Sequence, residues 1–122
     1  MAKILIIDDD KMVRDTLRML LTAAGHQIVV ANDGKQGLKA FTEIQPDLVI
    51  TDILMPEKEG VETIGDIRKV SKVPIIAMSG GGRVGNMSFL AVAQQFGANR
   101  TFAKPFQIDE VLNAVKELLK VA

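Results

Sequence analysis

Three things are missing from this chain of 122 residues: cysteine, net charge and any long apolar run. Without cysteine there is neither a disulfide framework nor a thiolate zinc site, and the chain suits a reducing compartment. Lys+Arg and Asp+Glu number 15 each, so no net field draws it to nucleic acid or to acidic lipid. The N-terminal apolar run, Ile4-Leu5-Ile6-Ile7, is followed at once by three aspartates and is too short for a signal peptide or a membrane span. Tryptophan and tyrosine are absent, and His26 is the single histidine. What remains is an ordinary balance, 48% hydrophobic and 25% charged, as expected of one cytoplasmic domain with a core of its own.

Short apolar runs alternate with helix-period segments along the whole chain. The runs Ile4–Ile7, Ile28–Val30, Leu48–Ile50, Ile75–Met78 and a weaker Thr101–Ala103 read as strands. They lack polar alternation, which suits strands buried on both faces of a parallel sheet. Between them, Val13, Leu17, Leu20, Leu21 and Ala24 recur at helical spacing, as do Leu38, Phe41 and Ile44, then Val61, Ile64 and Ile67. Ile108, Val111, Leu112, Val115, Leu118 and Leu119 make the clearest stripe, and Gly25 and Gly97 read as helix stops. The pattern is (βα)5: a parallel five-stranded α/β sheet with right-handed crossovers and helices on both faces. No linker, repeat or second domain is visible, so residues 1–122 read as one unit without an output domain.

Ligands of open α/β sheets bind at the carboxyl ends of the strands. Asp8-Asp9-Asp10 follows the first run, Asp52 the third, Ser79 the fourth and Lys104-Pro105 the fifth. Two unit charges at ~4 Å repel by about 4 kcal/mol at an effective dielectric of ~20, so clustered carboxylates must bind a cation or take up protons. Oxygen-only donors favour Mg²⁺ or another hard divalent ion such as Mn²⁺. An ammonium and a hydroxyl nearby would stabilise phosphoryl oxygens, and a carboxylate can itself be the nucleophile, forming an acyl phosphate. Taken singly, each group has a plainer reading: Asp10 as a helix N-cap, Asp52 as a turn residue, Lys104 and Ser79 as surface groups. Their joint placement points to phosphoryl transfer.

With the acid cluster, Asp52-Ile53-Leu54-Met55-Pro56, Ser79 and Lys104-Pro105-Phe106 in this order, the sequence closely resembles the receiver domain of two-component response regulators. The resemblance implies a flavodoxin-like strand order, 2-1-3-4-5. It implies Asp52 as phosphoacceptor, Asp9 as a direct Mg²⁺ ligand with Asp8 beside it, and the Leu54 carbonyl as a further ligand. Ser79 would contact the phosphoryl group, Lys104 would be the family's lysine, and its bond to Pro105 would be cis. Partners would be a histidine kinase or histidine phosphotransfer protein and a downstream protein on the face of the fourth helix, fifth strand and fifth helix. The chain would be a monomer or a weak phosphorylation-dependent dimer. It would catalyse its own phosphorylation and dephosphorylation and turn over no separate metabolite.

Two features depart from that pattern. Thr101 stands where most receivers carry a switch aromatic, with Phe102 expected on the opposite side of the strand. The loop after Ser79, Gly80-Gly81-Gly82-Arg83-Val84-Gly85, is glycine-rich and long, so Gly80, Gly81 and Gly82 with Ser79 are expected to form a mobile switch. That loop also fits G-x-G-x-x-G and raises a nucleotide- or flavin-binding enzyme as an alternative; a phosphorylation-independent interaction module is a third. No Lys-Ser or Lys-Thr follows Gly85, however, and the loop comes after the fourth strand with one βα unit left. No charge occurs from Val84 to Asn99, where a solvent-facing helix is expected; this reads either as a neutral polar helix or as a docking surface with exposed apolar residues such as Met87 and Phe89. His26 reads as a surface residue far from the acids, and Phe41, Phe96 and Phe106 as packing.

Overall fold

The computed structural model describes residues 2–53, 60–80, 83–84 and 87–120, with 83–84 and 87–90 described by backbone alone. In chain order the elements are β1 (Lys3–Ile7), α1 (Lys11–Ala23), β2 (Gln27–Ala31), α2 (Gly34–Ile44), β3 (Leu48–Asp52) and α3 (Gly60–Arg68). There follow β4 (Ile75–Ser79), β5 (Arg83–Val84), β6 (Met87–Ser88), α4 (Phe89–Phe96), β7 (Arg100–Ala103) and α5 (Ile108–Lys120). Five strands form one parallel sheet in the order β2-β1-β3-β4-β7, while β5 and β6 pair with each other, antiparallel. Counting the sheet strands alone, the order is 2-1-3-4-5, the flavodoxin-like winding.

The burial of each strand explains its residue types. Every residue of β3 and β4 is buried, and so are the last four of β1, which is why these runs are apolar without alternation. The outer strands β2 and β7 are only partly buried, which accounts for the weak apolar signal at Thr101–Ala103. Successive residues face opposite helix layers. Ile4, Ile6, Leu48, Ile50, Ile76 and Met78 pack with Leu17 and Leu21 of α1 and Val111 and Val115 of α5. Leu5, Ile7, Val49, Ile75 and Ala77 pack with Ile64 and Ile67 of α3 and Ala93 of α4.

Helix boundaries follow local chemistry. Asp10 caps α1 by accepting the Met12 N–H, and Asp33 caps α2 by accepting the Gln36 N–H. The Asn32-Asp33 stretch, featureless beside the other strand ends, is thus a helix start. Gly25 (φ 97) and Gly97 (φ 121) end α1 and α4 in conformations that glycine favours. Arg68, at the end of α3, donates to the carbonyls of Gly97 and Val73 and to Asn99 Oδ1, tying α3 to the turn before β7.

One expectation is corrected and another narrowed. The helix expected across the uncharged stretch starts only at Phe89; Arg83–Val84 and Met87–Ser88 form a two-stranded hairpin instead. Phe96 is 47% exposed and packs only on one side, its ring against Gly65 of α3, whereas Phe41 and Phe106 pack against the two cores. The side chains of Met87 and Phe89 lie outside the described residues.

Candidate functional site

The parallel winding delivers the carboxyl ends of β1, β3, β4 and β7 to one edge, and the chemistry gathers there. Asp8 follows β1 and is completely buried, with its N–H donating to the Ala31 carbonyl at 3.1 Å. Its Oδ1 accepts from the Asp10 N–H at 2.9 Å and its Oδ2 from Lys104 Nζ at 2.9 Å. Asp52 is the last residue of β3 and is 5% exposed. One of its carboxylate oxygens accepts from the Ile53 N–H at 2.9 Å, and the other lies 3.4 Å from Lys104 Nζ. Asp9 is exposed at the mouth. Each of the three aspartates places a carboxylate oxygen within 4.8 Å of the other two.

These surroundings set the protonation states. Burial and the adjacent Asp8 carboxylate push Asp52 up to about 6, against the opposing pull of Lys104. Burial would lower the Lys104 ammonium, but its bonds and charge attraction to Asp8 and Asp52 outweigh that and raise it. One ammonium against three carboxylates leaves an excess of negative charge in a pocket of hard oxygen donors. Such a donor set fits Mg²⁺ or a like ion and offers nothing to a soft metal.

Two neighbours complete the site's frame. The β3–β4 register sets Asp52 opposite Met78, so Ser79 lies one position beyond Asp52 on the next strand; it is fully buried, and its carbonyl accepts from the Lys104 N–H. Gly60, the first residue of α3, donates its N–H to the Ile53 carbonyl at 2.7 Å. A Cβ at Gly60 would overlap the Asp52 carbonyl oxygen, so only glycine can close the loop this tightly on β3. Sequence reasoning missed Gly60; the glycine just before the helical repeat Val61, Ile64, Ile67 is the only signal it leaves.

The remaining expectations sort by position. The Lys104–Pro105 peptide is cis. Thr101 is opposite Ala77 on the face toward α4, and Phe102 packs on the other face with the α1 and α5 core. Gly80 is described and has no positive φ, while Leu54, Gly81 and Gly82 lie outside the described residues. The glycine stretch runs into the β5–β6 hairpin before α4, so it is not the strand–loop–helix phosphate cradle of a dinucleotide fold. His26 lies ahead of β2, where its Nδ1 accepts the Ala2 N–H. Beside the acids, Asp10, Val13, Thr16, Lys104, Phe106 and Ile108 border a depression of ≈ 480 Å³, which sequence reading did not foresee.

The family described as response regulator receiver domain matches residues 4–116, and the chain belongs to that family. A probable transcriptional regulator ycf27 of Guillardia theta is 34% identical over 118 residues, covering 97% of this chain and 45% of the relative. Transcriptional regulatory protein CpxR of Klebsiella pneumoniae subsp. pneumoniae is 31% identical over 120 residues, covering 98% and 48%. The chain thus spans about half the length of these curated relatives. The receiver domain of the Francisella response regulator 1452 superimposes with a TM-score of 0.88 at 28% identity, covering 98% of both chains. A receiver domain protein from Clostridium thermocellum gives 0.89 at 29%, covering 98% of this chain and 95% of the other. Receiver domains are signalling modules of two-component systems rather than metabolic enzymes; they bind Mg²⁺ at an acidic pocket and interact with histidine kinases. Among the described residues no helix is long and apolar enough to cross a membrane.

Proposed function

We propose that Asp52 is the phosphoacceptor of this receiver, served by Asp8, Asp9, Ser79 and Lys104. The observation that carries the reading is the nearly buried Asp52 carboxylate, joined to the buried Asp8 acid through the Lys104 ammonium that contacts both. A carboxylate oxygen of Asp52 attacks phosphorus of a phosphohistidine; the P–N bond breaks, a P–O bond forms, and the histidine leaves with a proton. With its carboxyl at about 6, Asp52 is mostly ionised and nucleophilic at neutral pH.

Asp8, Asp9 and the Asp52 carboxylate would hold Mg²⁺, with the Leu54 carbonyl as a further donor. When bound, the ion neutralises phosphoryl charge that the acids would otherwise repel. Lys104 bridges two acids at 2.9 and 3.4 Å and is placed to transfer its hydrogen bonds to a phosphoryl oxygen. The Ser79 hydroxyl would donate to another. Water attack on the acyl phosphate reverses the modification, so the chain turns over its own phosphate and no separate metabolite.

The donor is a histidine kinase or a histidine phosphotransfer protein, docking over the depression between α1 and the loop before α5. Output passes through Ser79, Gly80 and Thr101 to the α4–β7–α5 face, where a downstream protein or a second phosphorylated copy binds. Incubating the protein with Mg²⁺ and a phosphohistidine-bearing phosphotransfer domain tests this. Transfer that requires Asp52 is expected; transfer that survives Asp52→Asn would overturn it.

A further inference from the structure

Arg14 lies one turn into α1, its own N–H bonded to the Asp10 carbonyl at 3.1 Å. Helical side chains at such positions usually reach solvent, yet Arg14 folds back over the helix start. Its Nη1 donates to the main-chain carbonyl of Asp8 at 2.8 Å, in a partly buried bond that spans six residues. Asp8 is thereby held at every polar group: its N–H by Ala31, Oδ1 by the Asp10 N–H, Oδ2 by Lys104, and its carbonyl by Arg14.

That last contact acts beyond Asp8. A peptide unit is planar, so fixing the Asp8 carbonyl also fixes the Asp9 N–H and the direction in which the chain enters Asp9. Asp9 is the exposed member of the carboxylate cluster and has the least packing around it to hold it in place. We propose that Arg14 is a positioning residue: by locking the Asp8–Asp9 peptide it sets where Asp9 presents its carboxylate to a divalent cation. This rests on the receiver reading of the acid cluster.

Charge and positioning make opposite demands here, which renders the idea testable. A guanidinium bonded to the Asp8 main chain beside the site opposes cation binding by charge alone, so deleting it should tighten Mg²⁺ binding if charge is its only effect. Loss of positioning should weaken binding, as loss of an outer partner of a metal ligand does.

The experiment titrates Mg²⁺ into the full chain, following amide chemical shifts, for wild type, Arg14→Met, Arg14→Lys and Arg18→Met. Arg14→Met removes both donor and charge and is expected to bind Mg²⁺ on the order of 10-fold more weakly. Arg14→Lys keeps a cationic N–H donor of similar reach and is expected to stay near wild type. Arg18→Met removes a charge from the same helix without touching Asp8, and is expected to bind equally or slightly more tightly. In metal-free protein the Asp9 amide is expected to shift in Arg14→Met and to stay put in Arg18→Met. Should Arg14→Met not fold, Arg14→Ala takes its place. Equal or tighter binding in the donor-less variant, or no saturable Mg²⁺ binding by wild type, overturns the proposal. Failure of phosphoryl transfer in wild type would count against the receiver reading alone, because these titrations use no phosphodonor.

Discussion

Lys104 Nζ lies closer to Asp8 than to Asp52, at 2.9 Å against 3.4 Å, so the lysine of the site is first the partner of a fully buried acid. Its removal leaves Asp8 Oδ2 buried without this donor and adds to repulsion among the carboxylates. Lys104→Met is expected to lower unfolding stability by about 1–3 kcal/mol. Combining it with Asp8→Asn in a double-mutant cycle by urea denaturation should give a coupling of at least about 0.5 kcal/mol. Strict additivity would mean the pair is incidental.

The Asp52 carboxyl, raised to about 6 in the fold, has an ordinary value of 3.8 when the chain unfolds. Between these values the folded state binds more protons than the unfolded one, so this group's contribution to stability falls as pH rises. The loss begins near pH 4 and is complete above about pH 6, on the order of 2–3 kcal/mol in metal-free protein. Asp52→Asn should therefore be more stable than wild type at pH 7.5 in chelator, with the advantage shrinking toward pH 4. Urea midpoints at the two pH values measure it; an Asp52→Asn variant that is less stable at pH 7.5 contradicts the shift.

Mg²⁺ should relieve the same repulsion. At ten times its dissociation constant the ion is expected to add about 1.4 kcal/mol of stability. Thermal unfolding with Mg²⁺ and with chelator should show the difference in wild type and lose most of it in Asp9→Asn. The same stabilisation in both proteins would place the ion elsewhere.

Gly60 and Gly80 both border the site but differ in the space around them. A Cβ at Gly60 meets the Asp52 backbone, while one at Gly80 meets nothing within 4 Å. Gly60→Ala is expected to destabilise by about 3 kcal/mol, because backbone rather than a flexible side chain must give way. Gly80→Ala is expected to be neutral or stabilising by up to about 1 kcal/mol, since its φ is not positive. Denaturation midpoints of the two variants check the contrast.

What the sequence shows of this site depends on whether a residue's role is written locally. Asp8, Asp9, Asp52 and Lys104 were legible as a group because each stands within two residues of the end of an apolar run, and strand ends of a parallel sheet converge on one edge. Gly60 was not, because its constraint is contact with a backbone eight residues earlier, which no periodicity records. Arg14 reads as one of several charges on an exposed helix until its side chain is seen turned back on Asp8. The antiparallel pairing of Arg83–Val84 with Met87–Ser88 escaped because two-residue strands are too short to show a period. That Phe96 would pack on one side only, against Gly65, was not legible because residue type alone does not say how much of a ring the fold covers.

The central claim is that Asp52 accepts the phosphoryl group, and it can be put to one measurement. Intact-protein and peptide mass spectrometry after incubation with a small-molecule phosphodonor and Mg²⁺ should show a single added phosphoryl group on the peptide that contains Asp52. Asp52→Asn and the metal-chelated wild type should show none. A phosphoryl group on another residue of wild type, or equal labelling of Asp52→Asn, would contradict the account.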